Sequence, residues 1–217
     1  MSTSLRKPAA FFTALRGGKL LGPTLDQGEI DGCNEILSAA GARDWPLSWI
    51  AYALATAYHE SAHTMEPVVE ANWLSPAAAA KYFFRMYDIG GSRPAKAREL
   101  GNIKPGDGAL FCGRGYPQTT GRTNYTRADK VLGLGGSLVA NPNRMLEPAI
   151  AAGSMIDAMT VGWYTGVSCR TFLPVVGSAG LIQFTKARAI VNGVDDAALI
   201  AGYAVDFQKA LISGDWR

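Results

Sequence analysis

Residues 45–63 read WPLSWIAYALATAYHESAH. The first fourteen, from Trp45 to Tyr58, carry no charge, and the last five begin a group of ionisable side chains. An uncharged segment of this length is too short to cross a membrane, which takes about 20 residues. It is also apolar on almost every side, and a helix of that kind is buried. We therefore predict a helix in the centre of a domain, with chemistry at its carboxyl end.

The composition is that of a folded domain. The chain has 217 residues, of which 48% are hydrophobic and 18% charged, and these values exclude a disordered protein. Its net charge of +3 is too small to indicate a nucleic-acid partner. Cys33, Cys112 and Cys169 are odd in number and widely spaced, so we predict reduced thiols and no disulfide framework. We expect a soluble monomer that binds neither nucleic acid nor membrane.

Helical periodicity, caps and glycine stops predict most of the secondary structure. We expect Asp44 to cap the central helix. Residues 101–125 are rich in glycine, and we predict extended and looped backbone there, with a short hairpin around 109–113. The other predicted helices cover residues 8–15, 26–40, 77–87, 147–159, 180–191 and 195–212. The fold class is therefore mainly α, as one catalytic domain over residues 1–217 with a small irregular or β lobe lining a cleft.

Two carboxyl groups near the end of the central helix suit acid and base catalysis. An inverting glycosidase places its carboxyl groups about 6.5 to 9.5 Å apart, whereas ten residues of helix would separate Glu60 from Glu70 by about 15 Å. Pro67 should break the helix, so that Glu70 faces Glu60 across a cleft. In this hypothesis Glu60 is the acid and Glu70 the base. Glu66 would lie about 240° around a continuing helix and is a poorer partner; alternatively, Glu66 and Glu70 are surface charges on a loop.

The same letters also spell the zinc signature His-Glu-x-x-His. On a helix, His59 and His63 would share one face, with Glu60 as the base for a zinc-bound water. They are the only histidines in the chain, so the third ligand would have to be a carboxylate such as Glu66 or Glu70. A simpler interpretation of His63 is a side chain at a helix carboxyl end. We keep a zinc metallopeptidase as an alternative.

Three stretches carry a resemblance to a known family. They are Tyr58-His59-Glu60-Ser61, Glu70-Ala71-Asn72-Trp73-Leu74-Ser75, and residues 113–125, which follow the spacing Gly-Arg-Gly-x-x-Gln-x-Thr-x-x-x-Asn-Tyr. Together they resemble the core of glycoside hydrolase family 19, and more closely its branch found in bacteriophage endolysins. The resemblance runs from about Asp26 to Gly193, and the third stretch is its most specific part.

The resemblance implies a lysozyme-like helical fold that hydrolyses β-1,4 links between amino sugars with inversion, without a metal or other cofactor. Glu60 matches the general acid, Glu70 the general base, and Thr120 the hydroxyl that holds the attacking water. Arg114 matches an arginine whose charge could pair with the acid or the base. Gln118, Asn124, Tyr125 and Asn192 match positions that contact sugars or shape the cleft. We add two substrate-binding candidates beside the carboxylates, His59 and Trp73, although a tryptophan is more often a core residue.

The predicted function is that of an endolysin that cuts the glycan strands of peptidoglycan and lyses the host. The first residues contain no apolar run of signal-peptide length. We therefore expect the protein to remain in the host cytoplasm until a holin, which it need not contact, opens the membrane. Two further alternatives are a chitinase of the same family and a non-catalytic sugar-binding or virion structural protein on the same fold.

Overall fold

The protein is mainly helical, as the sequence predicts. A computed structural model describes residues 3–18 and 20–217. The α-helices are α1 (Pro8–Gly17), α2 (Gln27–Gly41), α3 (Leu47–Glu60), α4 (Pro76–Tyr87), α5 (Pro94–Glu99), α6 (Asp107–Leu110), α7 (Arg122–Val131), α8 (Ser137–Ala140), α9 (Pro148–Val161), α10 (Cys169–Phe172), α11 (Leu181–Ala187) and α12 (Ala197–Ser213). Two 3₁₀ helices cover Pro142–Leu146 and Arg188–Ile190. Strands β1 (Val68–Val69) and β2 (Arg114–Gly115) pair antiparallel, with Val68 opposite Gly115.

The chain forms two compact units. The first contains Met1–Glu66 and Met155–Arg217, and the second contains Pro67–Ser154. The prediction of a single catalytic domain, and the prediction that Glu70 faces Glu60 across a cleft, both stay predictions. None of the described helices combines the length and the apolar character needed to cross a membrane.

Helix α3 is the core of the first unit. It packs against α2 and α12, and α12 also packs against α1 and α11. Every residue from Ile50 to Ala55 has no exposed surface, as the uncharged sequence predicts. The packing is close enough to require a glycine: a Cβ at Gly32 of α2 would lie 1.9 Å from the Met65 carbonyl oxygen. Glu60 is thus the last residue of a helix that its surroundings hold firmly.

The second unit uses buried carboxylates to fix its glycine-rich segment. Asp107 accepts hydrogen bonds from the backbone N–H groups of Ile103 and Lys104 and from the Arg122 guanidinium. Burial alone would raise the pKa of Asp107, but these hydrogen bonds and the Arg122 charge lower the pKa below its ordinary value. Asp88 is also buried and accepts from the N–H groups of Gly106 and Gly108. A segment without regular periodicity is thereby held in one conformation.

Three local predictions are wrong. Helix α3 begins after Pro46, not at an Asp44 cap, because the Asp44 carboxylate accepts a 2.9 Å hydrogen bond from the Thr3 N–H instead. The hairpin expected around 109–113 is absent, since 107–110 is a helical turn and the partner of Arg114–Gly115 is the distant Val68–Val69. Helix α7 begins inside the segment predicted as loop. Its sequence RTNYTRADKV is largely polar, so it gives little hydrophobic periodicity.

Candidate active site

Glu60 is held by an arginine from a distant part of the chain. Its Oε1 accepts a 2.7 Å hydrogen bond from Nη1 of Arg188, in the 3₁₀ helix after α11. The Arg188 side chain is only 4% exposed, and its Nε donates to the Asp195 carbonyl oxygen at 3.0 Å. A guanidinium fixed at two points fixes the carboxylate in turn. Sequence reasoning missed Arg188, because nothing in its local pattern distinguishes it from a surface arginine.

Arg114 does not pair with Glu70, one of the two carboxylates predicted as its partner. Its Nη1 donates to the Leu110 and Cys112 carbonyl oxygens and to the Tyr125 hydroxyl, at 3.0 to 3.2 Å. Among the described residues it forms no ion pair with Glu70. The arginine that pairs with a candidate catalytic carboxylate is Arg188, and Arg114 supports the backbone of the motif.

Tyr125 is also a supporting residue. It is fully buried, and its hydroxyl donates to the Cys112 carbonyl oxygen at 2.9 Å. Burial raises the pKa of Tyr125, so the hydroxyl remains a donor. Of the two roles predicted for Tyr125, contact with a sugar or shaping of the cleft, a side chain without exposed surface fits the second.

Glu70 directly follows β1 and is surrounded by donors. Its Oε1 accepts hydrogen bonds from the hydroxyls of Tyr87 at 2.7 Å and Tyr82 at 3.1 Å, and its Oε2 accepts from the Gly113 N–H at 3.2 Å. Burial, together with the Glu70 charge, raises the pKa of both tyrosines, so both hydroxyls stay protonated. Sequence reasoning assigned neither tyrosine to the site, because aromatic residues on a helix face ordinarily indicate core packing.

Glu66 has a different environment. It is exposed, and its carboxylate lies against the first turn of α2, where a Cβ at Gly28 would come within 2.6 Å of its Oε1. A carboxylate beside a helix amino terminus is favoured by the helix dipole, which explains Glu66 without a catalytic role. Glu70 therefore stays the predicted second carboxylate.

The Gln118 side chain of the motif lies beside Gly113, and Thr120 and Asn124 bond to the backbone that follows it. A Cβ on Gly113 would come within 2.4 Å of Gln118 Oε1 and 2.8 Å of Glu70 Oε2. The Gln118 Oε1 atom is buried and has no hydrogen-bond partner among the described residues. Thr120 donates from its hydroxyl to the Gln118 carbonyl oxygen, and Asn124 donates from its amide to the Thr120 carbonyl oxygen. The motif thus brings one unpaired acceptor and one carboxylate together around a glycine.

Replacing Gly113 with alanine should displace Glu70. The added Cβ would meet both the Glu70 carboxylate and the Gln118 amide closer than real Cβ contacts allow. A displacement of about 1 Å at a catalytic group costs up to roughly 100-fold in rate. We expect kcat to fall by about 10- to 100-fold in a glycan hydrolysis assay. The control is Gly202→Ala in α12, where an added Cβ meets open space and φ is not positive; equal kcat values for the two variants would contradict the close contact.

Three predicted residues of the first unit lie near the ends of α3 and α12. His59 Nε2 is 3.5 Å from Oδ2 of Asp196, the residue before α12. Asn192 is exposed, and its side chain accepts from the Gly193 N–H. His63 stacks on Tyr58, with ring centroids 4.3 Å apart. The substrate-binding roles of His59 and Asn192 stay predictions.

The geometry that the zinc alternative requires is not formed. Helix α3 ends at Glu60, and His63 follows with a φ of +75°, so the two imidazoles are not one helical turn apart. Over residues 3–18 and 20–217, no three His, Cys, Asp or Glu side chains come together as a metal site would need. The letters match the zinc signature, but α3 ends within it, so His59 and His63 do not share a helix face.

The fold itself is found in solved enzyme structures. Chitinase C of Streptomyces griseus matches with a TM-score of 0.57 and 17% identity over 95% of this chain and 76% of that one. This protein therefore has a chitinase fold. A mutant chitinase C matches at 0.55 and 20% identity, over 96% of this chain and 93% of that one, and a bacterial family 19 chitinase at 0.50 and 15% identity, over 98% and 96%. No family model and no curated protein sequence matches the chain.

We expect Arg188 to act as a positioning residue for Glu60, the predicted general acid. Lysine in its place keeps the charge but cannot donate in a fork to both Glu60 and the Asp195 carbonyl. We expect Arg188→Lys to lower kcat about 10- to 100-fold and to leave KM nearly unchanged, because the Arg188 side chain contacts the predicted acid and is not predicted to contact the sugar. Arg170→Lys, at an exposed arginine of the same unit, is the control. A raised KM at normal kcat would contradict the positioning role.

Proposed function

We propose that this protein is a glycoside hydrolase that cleaves β-1,4 bonds between amino sugars with inversion, using Glu60 as the acid and Glu70 as the base. The observation that carries the proposal is that each carboxylate is oriented by its own donors. Glu60 has the buried Arg188, and Glu70 has two tyrosine hydroxyls and a backbone N–H. Orienting carboxylates in this way prepares them for acid and base roles.

The reaction follows from these groups. Glu60 protonates the oxygen of the leaving sugar, and Arg188 stabilises the carboxylate that remains. Glu70 takes a proton from a water that attacks the opposite face of the sugar, so the product has the inverted configuration. The tyrosines keep one Glu70 oxygen in place during this transfer. Thr120 and the unpaired Gln118 oxygen lie on the same segment as Gly113 and suit contacts to the water and the sugar amide.

The substrate in this proposal is the glycan strand of peptidoglycan, and the protein is an endolysin. Support comes from the resemblance of residues 58–61, 70–75 and 113–125 to the endolysin branch of the family. In this proposal the protein stays in the host cytoplasm as a monomer until a holin gives it access to the wall. No membrane, nucleic-acid or cofactor partner is needed for the reaction.

The test is digestion of purified cell walls. The protein should clear Gram-negative cells whose outer membrane has been permeabilised, in the presence of EDTA, and should release fragments with new reducing ends from sacculi. Mass spectrometry would identify each end as muramic acid or glucosamine and so name the bond. New free amino groups instead of reducing ends would show an amidase or peptidase and contradict the proposal.

A chitinase is the second candidate, because the solved structures that share the fold are chitinases. Turnover of N-acetylglucosamine oligomers without release of sacculus fragments would favour it. Proton NMR of the first products separates inversion from retention for either substrate. A product with retained configuration would contradict the inverting roles of Glu60 and Glu70.

A further inference from the structure

Trp73, three residues after Glu70, borders a groove of the second unit. The indole is 78% exposed, so it contributes little to the core. The groove has a volume of about 520 Å³ and is lined by Trp73, Leu74, Ala78, Lys81, Tyr82 and Arg85. An exposed tryptophan beside a concave surface is typical of a ligand site more than of packing.

One face of α4 forms most of the groove. Ala78, Lys81, Tyr82 and Arg85 are spaced three and four residues apart on α4 and therefore share one face of the helix. The Ser75 hydroxyl accepts from the Ala78 N–H and caps α4. The Leu74 N–H donates to the Ala71 carbonyl oxygen at 3.0 Å. The indole thus projects from a fixed turn at the start of the helix.

The groove carries positive charge that the protein does not neutralise. Lys81 and Arg85 are both exposed, and neither forms an ion pair within the part of the chain that the structure describes. Like charges four residues apart on a helix repel one another. The second unit has eleven Lys and Arg against six Asp and Glu, a net charge of +5, and the rest of the chain carries −2. An anionic ligand would relieve the repulsion that folding leaves in place.

The groove adjoins the candidate base. Tyr82 lines it, and the Tyr82 hydroxyl donates to Glu70 Oε1 at 3.1 Å. A glycan in contact with Glu70 can therefore continue along α4 past Tyr82 to Trp73, Lys81 and Arg85.

We propose that this groove is a subsite for an acidic amino sugar, whose ring stacks on Trp73 while a carboxylate attached to the sugar or its peptide binds Lys81 and Arg85. The proposal rests on the proposed hydrolase function and specifies its substrate class. Aromatic faces accept the apolar face of a sugar ring, and the two cations form charge-assisted hydrogen bonds with a carboxylate. Neutral chitin would use the tryptophan alone, whereas peptidoglycan would use the whole groove.

The test measures binding without turnover. Full-length protein carrying Glu60→Gln is sedimented with native sacculi and with sacculi whose carboxyl groups have been converted to methylamides. Adding Lys81→Gln and Arg85→Gln should weaken binding to native sacculi about tenfold, as expected for two exposed ion pairs, and should leave binding to amidated sacculi unchanged. The loss should shrink in 0.5 M NaCl, because salt screens exposed charges.

A matched control separates this site from general charge attraction. Lys104→Gln with Lys130→Gln removes the same charge from exposed positions of the second unit that do not line the groove. Native sacculi bound equally by the two double variants would overturn the proposal. Trp73→Ala should weaken binding to native and amidated sacculi alike, and unchanged binding of both would also overturn it.

The outcomes distinguish the subsite from the reaction. If the parent protein hydrolyses sacculi but the groove variants bind as it does, only the subsite is wrong. If sacculi are bound through Lys81 and Arg85 but even the parent protein does not hydrolyse them, the proposed reaction is wrong and the subsite stands. Since Trp73, Lys81 and Arg85 are all exposed, we expect every variant to fold, and matching thermal unfolding midpoints would establish this.

Discussion

Replacing Glu60 with glutamine should reduce glycan hydrolysis by about 10²- to 10⁴-fold, the contribution usual for a general acid. Glutamine has nearly the shape of glutamate, and its oxygen can still accept from Arg188, but it carries no acidic proton for the leaving sugar. The loss should therefore appear in kcat, with little change in substrate binding. The rate at which purified sacculi release new reducing ends, followed over hours, is sensitive enough to measure a loss of this size.

The stability of the variant is the necessary control, because Arg188 is buried and would face a neutral partner. A buried charge that loses its counter-charge is destabilising, so the unfolding midpoint should fall somewhat while the far-UV circular dichroism stays helical. Activity equal to that of the parent, in a folded Glu60→Gln protein, would contradict the acid role and with it the proposed reaction.

Replacing Glu70 with glutamine should cause a loss of similar size, about 10²- to 10⁴-fold in kcat, because an amide cannot take a proton from water. The amide can still accept from the Gly113 N–H and donate to the tyrosine hydroxyls, which accept as well as donate. Folding should therefore be preserved. The same reducing-end assay measures the effect.

Glu66→Gln provides the matched comparison, since it makes the same chemical change four residues earlier. Glu66 is exposed and lies against the first turn of α2. The kcat of the Glu66→Gln protein should therefore equal that of the parent. The opposite pattern, with Glu66→Gln inactive and Glu70→Gln active, would transfer the base role to Glu66. It would also remove the reason for assigning Tyr82 and Tyr87 to the site.

Local sequence signals predicted the parts of the fold that depend on local physics. Helix α2 covers Gln27–Gly41, close to the predicted 26–40, and its first turn is capped by Asp26 and Glu29, which bond each other's backbone N–H groups. Ser75 likewise caps α4. Asp44 failed as a cap because Thr3, distant in sequence, offers its carboxylate a different donor. A cap candidate is reliable only when no distant residue competes for it.

The candidate site likewise has one part that local sequence signals predict and another part that they do not. Glu60 was predicted because it ends the most apolar helix, and Glu70 because Pro67 prevents that helix from continuing. Arg188 is 128 residues beyond Glu60, and no spacing rule connects two residues so far apart. Tyr82 and Tyr87 carry the helical spacing of core aromatics, and only the position of β1 turns their hydroxyls toward a carboxylate.

By itself, the sequence determined a mainly helical protein with a buried α3 and a carboxylate at its end, because burial and helix termination depend on neighbouring residues. The tertiary structure alone decided which groups hold each carboxylate: Arg188 for Glu60, and Tyr82, Tyr87 and the Gly113 N–H for Glu70. It also directed the Arg114 guanidinium to backbone carbonyl oxygens and the Tyr125 hydroxyl, and not to Glu70. The physical reason is that hydrogen bonds and ion pairs act over about 3 Å in space, and distance along the chain does not determine which groups come that close.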